Sequence, residues 1–195
     1  MQSEIVSLKS ILSYKGLSSG YSFRGKIQHI HNGGVRVIQL KDFENDYTVI
    51  GQDCTLVERE KIKNKYFLET GDVLFIAKGT NNFSLVFEEI DDTPTIASSA
   101  LFVLKVDTRL ANPFYIAWYL NQTEVQNYFK SNETGTYTKS ISKPILEEAP
   151  IALPSLETQH KIAQVASLHN KELALSHKII ALKNQLTTTQ LLNAL

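Results

Sequence analysis

Residues 151–186 read IALPSLETQHKIAQVASLHNKELALSHKIIALKNQL, and this stretch decides how the chain is organised. Pro150 and Pro154 bracket a short apolar segment, Ile151–Leu153, which suits an edge strand because proline has no amide to give to a ladder. Ser155 is a good N-cap, and Glu157 sits in the first turn, where the helix dipole favours a negative charge. No proline or glycine follows through Leu195. The expectation is a helix of roughly 40 residues, about 60 Å long and much longer than a small domain needs. Along it Leu168, Leu175, Ile179, Leu182 and Leu186 recur at spacings of seven, four, three and four, a coiled-coil seam. Continued, the seam reaches Thr189 and Asn193 and weakens. The helix either meets a partner helix or folds back on its own domain; its length and the narrow seam favour the partner.

Upstream of this helix the pattern is strand-rich. The string GGVRVIQLKDF from Gly33 alternates Val35, Val37 and Ile38 or Leu40 against Arg36, Gln39 and Lys41, a half-buried strand opened by a Gly-Gly turn. Shorter strands are expected at Tyr47–Ile50, Thr55–Val57, Val73–Ala77 and Leu85–Phe87, and a longer one over Thr95–Val106. A helix starts at Asn112, a capping residue, with Pro113 at the first helical position, and it places Phe114, Trp118, Val125 and Phe129 on one face. A polar loop holding Gly135 follows, from Lys130 to Lys143. At the N-terminus Ile5, Leu8 and Leu12 have helical spacing, so a short helix is expected over residues 4–14, then a turn-rich stretch with Gly16, Ser18, Ser19 and Gly20. The expected class is α+β: a mixed β-rich domain over residues 1–154 and a long helix over 155–195.

The 195 residues, with 43% hydrophobic and 21% charged, are the composition of a globular chain. Twenty basic and twenty acidic residues cancel, which argues against a nonspecific coat for a polyanion but leaves room for a local basic face. Cys54 is the one cysteine, so neither an intrachain disulfide nor a cysteine zinc site is expected. The opening MQSEIVSLKSILSYKG lacks the layout of a signal peptide, and no apolar run approaches the roughly 20 residues that span a bilayer. The location implied is cytoplasmic, and the sequons at Asn82, Asn121 and Asn132 are coincidence.

No catalytic constellation emerges. Asn112-Pro113-Phe114-Tyr115 resembles the Asn-Pro-Pro-Tyr/Phe loop of amino-methyltransferases, but the second proline is missing and no Gly-rich cofactor fingerprint accompanies it. Capping explains the asparagine and the proline. His29 and His31 have no third metal ligand at sensible spacing and read as a polar surface pair. Glu58 and Glu60, and the acidic turn Glu88, Glu89, Asp91 and Asp92, read as solvated charge. No cofactor and no metal are expected.

Three polar stretches fit nucleic acid better. Lys61, Lys63 and Lys65 alternate before Tyr66. Lys78, Thr80, Asn81 and Asn82 form a loop between two apolar strands. Lys139 follows Gly135, Thr136, Tyr137 and Thr138 in a second loop. Lysine suits phosphate contacts, while asparagine and threonine can read base edges. Each stretch alone reads as ordinary surface.

The ordered set of segments resembles specificity subunits of type I restriction-modification enzymes. Pro154, Gln159, Ile162 and Ala163 match the family's apolar-Pro-x-x-x-x-Gln-x-x-Ile-Ala pattern at the end of a target-recognition domain. VRVIQLKDF from Val35, KYFLETGDVLFIAKGT from Lys65, LANPFYIAWYL from Leu110 and Gly135-Thr136 match recurring family segments in order, so the resemblance covers nearly all of the chain from about Val35. It implies that the domain reads half of a split target in double-stranded DNA, that the helix docks methyltransferase subunits, and that those other subunits do the chemistry. The DNA contacts implied are Lys61, Lys63, Lys65, Lys78, Thr80, Asn81, Asn82, Thr136, Tyr137, Thr138 and Lys139, with Arg24, Lys26 and Arg36 as the next candidates. A usual family member has two recognition domains and two long helices, whereas this chain has one of each. It is therefore part of a larger protein or a half-subunit that pairs through Leu168, Leu175, Ile179, Leu182 and Leu186 as a homodimer on a palindromic split target. The rival readings are a protein-interaction adaptor, which the neutral charge favours, and a degenerate methyltransferase, for which only Asn112–Tyr115 speaks.

Overall fold

The segment VLFIA, residues 73–77, carries no polar side chain, as a strand covered on both faces requires. The computed structural model describes residues 4–31, 33–44, 49–60, 62–79, 81–135 and 139–194. Its elements in chain order are β1 (Glu4–Ser7), β2 (Leu12–Ser19), β3 (Val35–Ile38), β4 (Phe43–Glu44), β5 (Val49–Ile50), β6 (Thr55–Val57), β7 (Val73–Ile76), β8 (Ser84–Val86), β9 (Thr95–Ala97), β10 (Leu101–Val106), α1 (Pro113–Leu120), α2 (Thr123–Asn132), α3 (Lys143–Glu147), β11 (Pro150–Leu153) and α4 (Leu156–Leu192). The class is α+β, as expected: small mixed sheets followed by a long helix.

β7 is an inner strand of an antiparallel sheet ordered β2-β10-β7-β8. Because side chains alternate along a strand, Val73, Phe75 and Ala77 join one core with α1, α2 and α3, and Leu74 and Ile76 join another with Ile38, Leu68 and Phe87. β10 repeats the pattern, with Phe102 and Leu104 on the helix side and Leu101 and Val103 opposite. A second sheet, β6-β3-β9, pairs β3 antiparallel with β6 and parallel with β9. Val35, Val37, Val57 and Ile96 form its own core.

Four expectations are corrected. Residues 4–14 are not a helix: β1 pairs with β11, a 3-10 turn spans Leu8–Ile11, and β2 pairs with β10. The turn buries Leu8 and Ile11 while Ile5 is 72% exposed, so the helical spacing is a coincidence that long-range pairing overrides. The stretch with Gly16 and Ser18 lies in β2 rather than in turns. Residues 95–106 are two strands, because the chain passes from one sheet to the other at residues 98–100. There Ser98 N donates to Ile38 O at 2.9 Å and Leu101 N to Ser98 O at 3.0 Å. Gly20 lies against this crossing, and a Cβ on it would sit 2.2 Å from Ser98 O and 2.5 Å from Ala97 O, so only glycine fits. The helix expected from Asn112 onward is two helices, broken at residues 121–122. Its buried residues in α1 are Tyr115, Ile116, Ala117 and Leu120, whereas Phe114 is exposed and Trp118 half-buried.

Other expectations hold. Asn112 Oδ1 accepts from Phe114 N at 2.8 Å and Tyr115 N at 3.1 Å, the predicted cap. Of the strand expected at residues 47–50, Val49 and Ile50 form β5, while Tyr47 and Thr48 lie outside the described residues. Ser155 Oγ caps α4 through Thr158 N, and β11 is the short strand before it. α4 runs 37 residues, about 55 Å at 1.5 Å per residue. Its first turns are held by Gln159, which is fully buried: Oε1 accepts from Asn112 N and Nε2 donates to Pro154 O, both at 2.8 Å. Tyr115 ties α1 to β11 by donating to Ala152 O at 2.5 Å, and burial pushes its hydroxyl up to about 12, so it stays a donor. From Ser167 onward every described residue of α4 except Ala174 is exposed, so the helix is not folded back on its domain.

Candidate nucleic-acid interface

The loop of residues 78–82 leaves β7, and the loop of residues 134–140 follows α2; the fold brings them side by side. Gly79 N donates to Lys139 O at 3.2 Å, Ile141 N donates to Ala77 O at 2.9 Å, and Lys78 and Ser140 form an antiparallel bridge. Thr134 and Ser140 exchange backbone hydrogen bonds of 3.0 and 2.9 Å that close the second loop at its base. Gly79 has φ +146°, a backbone conformation that L side chains rarely adopt, which explains why glycine stands at the bend. Lys78, Asn81 and Lys139 are exposed, and Lys139 forms an ion pair with Glu133. Thr80, Thr136, Tyr137 and Thr138 lie outside the described residues.

Asn82 differs from Asn81. Its Nδ2 donates to Ile76 O at 2.9 Å, so its carboxamide shapes the loop from within. Gln126 Nε2, on α2, donates to Asn82 O at 2.7 Å and to Leu120 O at 2.8 Å. Asn121 makes a reciprocal pair with the backbone of Ser84, accepting from its N and donating to its O at 2.8 Å each. No sequence pattern points to these clamps, since a glutamine or asparagine on a helix is ordinarily a solvent-facing residue.

The lysines of the third stretch lie at the other sheet. Lys63 and Lys65 are exposed around the 3-10 turn Asn64–Tyr66, and Lys61 is outside the described residues. Lys65 Nζ lies 5.0 Å from the Tyr66 ring centroid, and the Arg59 guanidinium lies 5.5 Å from that of Phe67. Tyr66 packs edge-on against Tyr21 at 5.1 Å, beside a cleft of about 510 Å³ lined by Tyr21, Phe23, Arg24, Glu58 and Ile62 among others.

The acidic turn is not simply solvated. Asp91 Oδ2 accepts from Arg36 at 2.6 Å and Oδ1 from Thr93 N at 2.8 Å, and the guanidinium holds the carboxyl well below the usual carboxylate range. Arg36 is 6% exposed, so this basic residue is committed inside the fold, whereas Arg24 and Lys26 are exposed.

The groups with catalytic or metal-binding chemistry are engaged within the fold. The Asn112 oxygen caps α1. Leu56 N donates to His29 Nδ1 at 3.2 Å, which leaves the proton on His29 Nε2, 3.3 Å from His31 Nδ1. Both His29 nitrogens are thus occupied. Cys54 is buried, donates to Gly51 O at 3.1 Å, and burial pushes its thiol up to about 11, so it is no nucleophile at neutral pH. Among the described residues no group of three His, Cys, Asp or Glu side chains is placed to hold a metal ion, and no helix is long and apolar enough to cross a membrane.

Residues 2–184 match the family described as the type I restriction modification DNA specificity domain. Among solved structures, the chain is similar to the type I restriction-modification S subunit from M. genitalium, at 14% identity and TM-score 0.59, over 93% of this chain and 42% of that one. It is similar to the HsdS subunit from Thermoanaerobacter tengcongensis at 17% identity and TM-score 0.61, over 90% of this chain and 39% of that one. A structure concerned with complex assembly and conformational transition of the type I system matches at 17% identity and TM-score 0.59, over 90% and 40% of the two chains. At these identities the likeness is one of fold, and the chain spans about two fifths of the length of each structure. No curated protein matches it.

Proposed function

From the premise that the chain belongs to the family of type I restriction-modification DNA specificity domains, we propose that it reads one half of a split duplex target and leaves cutting and methylation to other subunits. What supports this reading is the hydrogen-bonded join between loops 78–82 and 134–140, which sets two polar, lysine-bearing loops together at the end of a sheet buried on both faces. A reading head needs that rigidity, because base discrimination depends on donors and acceptors held in register with a groove edge.

In this reading Lys61, Lys63, Lys65 and Lys78 contact phosphates, and Lys139 exchanges Glu133 for a phosphate. Asn81 faces the bases together with Thr80, Thr136, Tyr137 and Thr138, while Asn82 holds its own loop. Residues 1–154 recognise DNA. Residues 155–195 pair with a second copy through Leu168, Leu175, Ile179, Leu182 and Leu186 and dock methyltransferase subunits. Two copies then present two identical reading heads to a palindromic split target.

The net charge of zero favours the rival adaptor reading, in which the fold persists without DNA contacts. The test uses the chain assembled with a modification subunit. A Lys63→Ala, Lys65→Ala, Lys78→Ala triple variant is expected to weaken binding to every duplex and to lower the salt slope by about three units. Asn81→Ala is expected to leave the slope alone and to relax one base position by about 1–3 kcal/mol. If all four substitutions change neither affinity nor preference, the adaptor reading stands instead.

A further inference from the structure

We infer that Gln126 on α2 is a positioning residue for sequence choice: it holds the base-reading loop 78–82 in place without facing DNA itself. The inference rests on the reading above and names a residue that no motif singled out. Gln126 Nε2 bridges two carbonyls that lie far apart in sequence, Asn82 O at 2.7 Å and Leu120 O at 2.8 Å. It therefore joins the exit of the loop to the end of α1.

The surroundings make this bridge a position-setting device rather than a generic surface bond. α2 cannot drift from β7, because Phe129 is fully buried and packs edge-on against Phe75 at 5.1 Å. Asn121, at the break between α1 and α2, grips both backbone groups of Ser84, just beyond Asn82. Inside the loop, Asn82 Nδ2 returns to Ile76 O. The C-terminal end of α2 leads directly into the second loop, whose Lys139 carbonyl receives Gly79 N. α2 thus clamps the first loop near its exit and launches the second from its own end. Together with Asn82 and Asn121, Gln126 sets the position of Asn81 near the exit of loop 78–82. A base edge tolerates little displacement of its partner, so loss of this bond lowers discrimination while phosphate contacts, made by long flexible lysines, survive.

The experiment compares Gln126→Met, which keeps length and helix propensity and removes the carboxamide with its donor, with Asn81→Ala and with the double variant. Each full chain is assembled with a modification subunit and selected against a randomised duplex pool, with salt dependence and thermal melting measured in parallel. The expected result is that Gln126→Met relaxes the base position that Asn81→Ala relaxes, by roughly tenfold or more, the scale of one base contact. The salt slope stays unchanged, and the double variant is no worse than the poorer single one, because the two act on one contact. An unaltered preference in Gln126→Met alongside an altered one in Asn81→Ala overturns the inference, as do strictly additive losses or an equal loss on all sequences. If Gln126→Met relaxes the preference and Asn81→Ala does not, the loop's position is upheld and the role given to Asn81 fails. If neither variant changes the preference, the reading of the loop as the base-recognition element fails with the inference.

Discussion

α4 is one uninterrupted helix in two environments. At its start, Gln159 is sealed between α1 and the Pro154 carbonyl, and Ala163 and Ile162 reach the main core. Beyond Ser167 the same helix lies in water on all sides, and Leu168, Leu175, Ile179, Leu182 and Leu186 are 51–66% exposed. The anchored part is fixed by a polar side chain that satisfies two backbone groups. The free part carries an apolar stripe that none of the described residues covers. The contrast separates the part of the helix that is held to its own domain from the part whose apolar side chains are exposed.

The largest expected effect lies in the free part. Leu175→Glu with Leu182→Glu removes two leucines from each helix of a pair, each leucine worth about 1.5–3 kcal/mol when buried, so self-association at micromolar concentration should vanish. Light scattering measures this. Unfolding of the monomer should be untouched, since neither residue packs on the domain. A wild-type chain that is already monomeric at that concentration breaks the contrast.

In the anchored part, Gln159→Leu keeps the volume and strands Asn112 N and Pro154 O. Each unpaired group costs about 1–3 kcal/mol, so this substitution, added to the Leu175→Glu, Leu182→Glu variant, should show a loss of about 2–6 kcal/mol in urea unfolding. A loss under about 0.5 kcal/mol, the range of ordinary surface substitutions, would mean that Ala163 and Ile162 hold the helix without it. Smaller again is Ser155→Ala, which removes the cap that Thr158 N uses and should cost about 1 kcal/mol by the same measurement. Together the three variants grade the helix from its domain outward.

The contrast also explains which features could be read from the sequence. Local chemistry was legible: the Ser155 and Asn112 caps and the absence of helix breakers after Pro154 each act over a few residues, whereas the strand at Val35, expected half-buried, is buried throughout, Arg36 included. Residues 4–14 misled because the partners of β1 and β2 lie in β11 and β10, far along the chain, and three apolar residues at helical spacing carry no record of them. The 95–106 segment hid its crossing because Ser98-Ser99-Ala100 lacks a glycine or proline; the glycine that permits it is Gly20, beside another strand. The candidate loops were picked out by composition, but their union was not, since the bonds that join them are backbone bonds. Polar residues committed inside the fold, such as Arg36 on Asp91 and Gln126 on Asn82, look in sequence like solvent-facing ones.

The most direct test is a selection from randomised duplex DNA by the wild-type chain assembled with a modification subunit. The expected result is enrichment of a two-part palindromic sequence with a constant gap, each half read by one copy of the joined loops. It is contradicted if the recovered pool is indistinguishable in sequence from the input while the assembled complex remains intact.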